Sequence, residues 1–122
     1  MYLIIESRDS YGEKNKEKVN CQKEVSPKGV KYSYENEHGD CKIIILKDMV
    51  QITRKGTINS VQVFKDGKIT PFHYKTPYTS SEFTLKTTDM KQKREGLSLS
   101  YEIYDGEEKI NDIVVTIKEV WN

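Results

Sequence analysis

Alanine is missing from all 122 residues, so the chain lacks the side chain that costs a helix least. Cysteine is nearly missing. Cys21 and Cys41 are too few for a disulfide framework, and each lies in an alternating run where a thiol behaves as a small hydrophobe. Histidine is as rare, with only His38 and His73. Neither pair shows the CxxC or HxxxH spacing of a zinc site, which wants three or four converging ligands. No metal and no cofactor is expected. The glycine patterns that cradle phosphates and the G-x-S-x-G elbow of serine hydrolases are also lacking. No segment approaches the ~20 apolar residues of a membrane-spanning helix. The opening MYLIIESRD turns to charge after a brief apolar burst and lacks the basic flank of a signal sequence. These absences lead us to expect a non-enzymatic protein in a reducing cytoplasm, away from membranes. An excess of one charge is lacking too. Twenty lysines and arginines face nineteen carboxylates, so the net charge of +1 gives no general attraction to nucleic acid.

What the chain has is alternation. Isoleucine, valine, threonine and eight tyrosines recur with period two, and such side chains fit a pleated sheet better than a helix. The densest run is Ile43–Leu46. After the break Lys47-Asp48-Met49 comes Val50-Gln51-Ile52-Thr53-Arg54, stopped by Gly56. Two short runs around a tight polar break predict a β-hairpin. Before it, strands are predicted at about 2–8, 19–25 and 30–35, with a polar loop over 9–18. After it come about 58–64, with Val61 and Val63 inward, then 72–76 and 82–88. An exposed loop, DMKQKREG, should cover 89–96. Leu97, Leu99, Tyr101 and Ile103 mark the next strand. Ile113, Val115, Ile117 and Trp121 share a face of the last. Ser26-Pro27-Lys28-Gly29, Asp66-Gly67 and Asp105-Gly106 supply turns. Short strands with turn signals every ~8–12 residues predict one all-β domain over 1–122, an antiparallel meander barrel of about 8–10 strands.

The segments VKYSYE (30–35), MVQITRKG (49–56), FHYKTPYT (72–79), FTLKTT (83–88) and GLSLSYEI (96–103), in this order and spacing, resemble the YwiB-like family of small bacterial proteins of unknown function. The resemblance runs from about Ile4 to Ile117. It implies a calycin-like, lipocalin-type β-barrel and no particular activity. The best-matching positions are Tyr34, Glu35, Arg54, Gly56, Tyr74, Thr76, Thr87 and Tyr101. Thr79 departs, standing where the family often has glycine, which implies a different turn over 76–81.

Tyr34, Glu35, Arg54, Tyr74, Thr76, Thr87 and Tyr101 form the candidate ligand-binding set. Arg54 is one of three arginines and falls in phase with Val50 and Ile52, so it should project into one barrel end. There its fork could hold a carboxylate or phosphate. The plainer reading is a structural pair with a carboxylate, Glu35 by preference, or a strand-end arginine reaching water. Tyrosines around a lumen could hold a small ligand, or they could simply fill it. The basic run Lys91-Gln92-Lys93-Arg94, flanked by Asp89 and Glu95, reads as a solvated turn.

The leading expectation is a binding module for a small ligand or protein partner at an open barrel end. Whether the protein is a homodimer stays open. One alternative is single-stranded nucleic acid held by surface tyrosines and lysines. Another is a small hydrolase or isomerase using Glu35, Tyr74 and Arg54.

Overall fold

Every regular element in the computed structural model, which describes residues 1–121, is a β-strand. There are ten. They are β1 (Tyr2–Asp9), β2 (Lys14–Ser26), β3 (Gly29–Asn36), β4 (Gly39–Leu46), β5 (Val50–Gly56), β6 (Asn59–Phe64), β7 (Ile69–Lys75), β8 (Ser80–Lys93), β9 (Gly96–Asp105) and β10 (Glu108–Val120). Each pairs antiparallel with its sequence neighbour, and β10 returns to β1 with Tyr2 opposite Val120. The result is a closed meander barrel with no free edge to template aggregation.

The barrel has two unlike ends. One carries the turns after β2, β4, β6 and β8 together with both chain termini. The other carries the turns after β1, β3, β5, β7 and β9. The middle is filled. Leu3, Ile43, Val50, Phe64, Leu85, Leu97, Leu99 and Thr87 are almost wholly shielded from solvent. Phe64 meets Tyr101 edge-on, with ring centroids 4.8 Å apart.

Glycine is required where backbones nearly touch. A Cβ on Gly39 would sit 2.2 Å from the Lys55 carbonyl oxygen, and one on Gly56 2.2 Å from that of His38. At the 76–79 turn no glycine is needed. The Thr76 hydroxyl accepts from the amides of Tyr78 and Thr79, and the Thr76 amide donates to the Thr79 carbonyl. Thr79 therefore fits, and among the described residues no non-glycine has positive φ.

Four local expectations fail. Residues 14–18 belong to β2, because they pair with β1 from Arg8 to Ile4. The stretch 89–93 continues β8 through a bulge between Thr87 and Asp89. Two residues there face one on β9, so the phase reverses: Thr87 points inward, then Met90, while Lys91 and Lys93 turn outward. In β6, Val61 and Val63 face outward, because Phe64 is buried opposite Val50 and takes Ser60 and Gln62 inward with it. Trp121 lies past the end of β10 and is largely exposed.

Candidate functional site

Registers across six strand pairs bring one row of side chains onto the inner face. Cys21 lies opposite Tyr34, Tyr34 opposite Cys41, Cys41 opposite Arg54, Arg54 opposite Ser60, Ser60 opposite Tyr74, and Tyr74 opposite Ser81. Strands in a barrel tilt, so the row climbs as it crosses them. Cys21, Tyr34 and Cys41 are buried. Arg54, Ser60, Tyr74 and Ser81 are half-buried at the mouth, each close to a strand end beside the turns at 57–58 and 76–79. A cleft of about 310 Å³ lies beside it, lined by the outward-facing Thr53, Val61, His73 and Glu82 as well as by Arg54, Ser60, Tyr74 and Ser81.

Arg54 thus points inward, as its phase predicts. The partner does not follow. Glu35 is exposed on the outer face opposite Asp40, and β3 pairs without any bulge that could turn it inward. Among the described residues, Arg54 has no carboxylate within ion-pair distance. A constellation of Glu35, Tyr74 and Arg54 does not assemble either, since the sheet separates the carboxylate from the other two.

Arg54 acts electrostatically on Tyr34. Burial raises the Tyr34 phenol well above its ordinary value, as do Cys41 and the Glu17 carboxylate, while the Arg54 guanidinium opposes them. Glu17 escaped the sequence reading because its segment looked like a loop. It is half-buried on the inner face of β2, opposite Ile5.

The remaining candidates lie apart. Thr76 is committed to its turn. Tyr101 is buried, which pushes its phenol up to about 12 against a lowering hydrogen bond from Gln62. Thr87, opposite Tyr101, is fully buried, and its hydroxyl oxygen has no hydrogen-bond partner. These two belong to the barrel core rather than its mouth. Cys21 and Cys41 are free thiols. They face each other across the intervening β3, on the order of 10 Å apart, beyond disulfide reach.

The opposite end holds a second polar cluster. Glu119 is 6% exposed, yet it is ionisable. Lys23 Nζ lies 2.7 Å from its carboxylate, the Tyr32 hydroxyl donates to the same oxygen, and Trp121 Nε1 donates to the other oxygen at 3.1 Å. Burial disfavours the charge on Glu119. The hydrogen bonds from Lys23, Tyr32 and Trp121 outweigh it and hold the carboxyl below its usual 4.5. The same contact and burial push the Tyr32 phenol far up. Period two from Ile113, Val115 and Ile117 leads directly to Glu119, so this residue was visible in the sequence and was missed for its charge.

A closed ten-stranded antiparallel meander, filled in the middle and polar at both mouths, defines a lipocalin-like barrel. The chain belongs to a family described as a domain of unknown function, DUF1934, whose model matches residues 5–117. The ywiB protein from Bacillus subtilis, known from a crystal structure, has a similar fold. The TM-score is 0.76 at 21% identity, over 98% of this chain and 91% of that one. No curated protein matches.

Proposed function

We propose that this protein is a non-enzymatic binding module that takes a small ligand bearing a carboxylate or phosphate at the Arg54 mouth. One observation carries the reading: an inward-facing, half-buried arginine that has no ion pair among the described residues, beside a cleft of about 310 Å³. A cation partly withdrawn from water and left without an anion invites one from outside. Ser60 and Ser81 add hydroxyls, and Tyr74 adds an apolar wall with a polar tip. The filled middle favours a ligand seated at the mouth rather than one swallowed by the lumen.

Binding of single-stranded nucleic acid through surface tyrosines loses support, because Tyr32, Tyr34, Tyr74 and Tyr101 face inward. The proposal places the barrel in water. Lys31, Lys42, Lys55, Lys75 and Lys86 decorate its outer strands, where lipid contact would be costly. Two buried free thiols suit the cytoplasm.

Native mass spectrometry of freshly purified protein tests the reading. An adduct of a small anionic molecule on the wild type, lost from Arg54→Ala, is expected. An adduct that survives this substitution would place the ligand elsewhere. The same spectrum reads monomer against homodimer.

A further inference from the structure

The whole-chain charge of +1 hides a segregation that the strand registers create. On the outer face of β8, β9, β10, β1 and β2, three rows cross the sheet side by side. The first runs Lys93, Gly96, Lys118, Ile4, Lys18. The second runs Lys91, Ser98, Thr116, Glu6, Lys16. The third runs Asp89, Ser100, Val114, Arg8, Lys14. Seven cations thus share one face with two carboxylates. Lys16 pairs with Glu6 at 3.6 Å and Lys91 with Asp89 at 3.9 Å. The other five cations have no ion pair among the described residues. The β8 bulge is essential here, because it turns Lys91 and Lys93 outward.

The face is also hollowed. Depressions of about 490 and 700 Å³ meet at Glu6, Lys16 and Thr116. Gly96 and Thr116 line these depressions, the second also lined by Glu95, and Ser98, Ser100 and Thr116 offer hydroxyls between the lysines. Four strand spacings and three rows give a footprint on the order of 19 by 14 Å.

We propose that this face binds the backbone of double-stranded RNA, independently of the Arg54 mouth. Paired phosphates supply the complementary charge. The aromatic platform that single strands need for stacking is lacking: among the described residues these rows carry no aromatic, and at their border Lys18 already lies over the Tyr2 ring at 4.5 Å. A duplex keeps its base faces stacked and presents phosphate, sugar and base edges. The hydroxyl floor suits the 2′-hydroxyls of a wide, shallow minor groove, which DNA does not have.

Fluorescence anisotropy with a labelled RNA duplex of about 20 base pairs tests this. Micromolar binding is expected at low salt, with log K falling against log[salt] at a slope of about −4.5, as for some five neutralised phosphates. The exposed substitutions Lys16→Glu, Lys93→Glu and Lys118→Glu together should weaken binding at least tenfold without moving the urea midpoint. Lys42→Glu with Lys55→Glu on the far side of the barrel, and Arg54→Ala, should leave it unchanged. The proposal is overturned if the duplex fails to bind at low salt or if the triple variant binds like the wild type. It is equally overturned if a DNA duplex, a single strand, an acidic polypeptide or an anionic vesicle binds more tightly than the RNA duplex.

Discussion

The two ends of this barrel carry the same problem, a charge drawn inward, and treat it in opposite ways. At the end that holds the termini, Glu119 receives Lys23, Tyr32 and Trp121 and is satisfied within the chain. At the other, Arg54 lies beside a cleft with Ser60 and Ser81 near it and, among the described residues, has no carboxylate within ion-pair distance. A buried charge whose partners are all internal is part of the fold. On the proposed reading, one whose partner is absent is an offer to a ligand, so that the first end serves stability and the second recognition.

The contrast is broken most forcefully at Glu119. Glu119→Ala strands Lys23 beside an apolar interior and should cost on the order of 3–5 kcal/mol in urea unfolding. A loss below 1 kcal/mol would show the cluster to be ornamental. Next in size is the effect of a ligand. A carboxylate or phosphate compound identified from the mouth, at about a hundred times its Kd, should add about 2.7 kcal/mol to the wild type. It should add nothing to Arg54→Ala. Without ligand, that variant should unfold within about 0.5 kcal/mol of wild type, because no internal pair is broken. A large ligand-free loss would mean that Arg54 is structural.

Acid sharpens the comparison further. The Glu119 carboxyl is held below its usual value in the folded state. Its contribution is therefore fully present above the unfolded value near 4.5 and is lost as pH falls through the folded one. Wild-type stability should drop on that acid side, and Glu119→Gln should flatten this part of the profile. The smallest effect belongs to Glu35→Gln, an exposed outer-face change expected to stay within about 0.5 kcal/mol and to leave ligand binding intact.

Much of the barrel was legible because period two is a hard geometric rule. Leu97, Leu99, Tyr101 and Ile103 could only share one face, and they line the core. The inward aim of Arg54 followed from Val50 and Ile52 in the same way. Legibility ended where a phase changes or where burial contradicts polarity. The bulge after Thr87 inserts one residue and reverses every following side chain, and nothing in DMKQK announces it. In SVQVF the β-branched pair looked like the core, yet Phe64, larger and better able to fill the lumen, decides the facing. Glu119 was discounted as a charge and Glu17 fell in a segment that looked like a loop, whereas only their cross-strand neighbours reveal how each is accommodated. The missing partner of Arg54 could not be read at all, since it depends on registers between strands and not on spacing along one.

The seam between β1 and β10 has a consequence for how this protein reaches its form. Nine of the ten seams join sequence neighbours, so each can zip from its own turn. The tenth sets Tyr2 against Val120 and Asp9 against Ile113. It meets a loop-closure cost set by nearly the whole chain before any of its contacts form. Folding should therefore stall at an open, curled ribbon whose hairpins are made and whose outermost strands are still apart. The rate should respond to changes at this seam far more than to equal changes in any hairpin. Leu3 and Ile117, flanking the place where the ribbon shuts, sit where the clock is set.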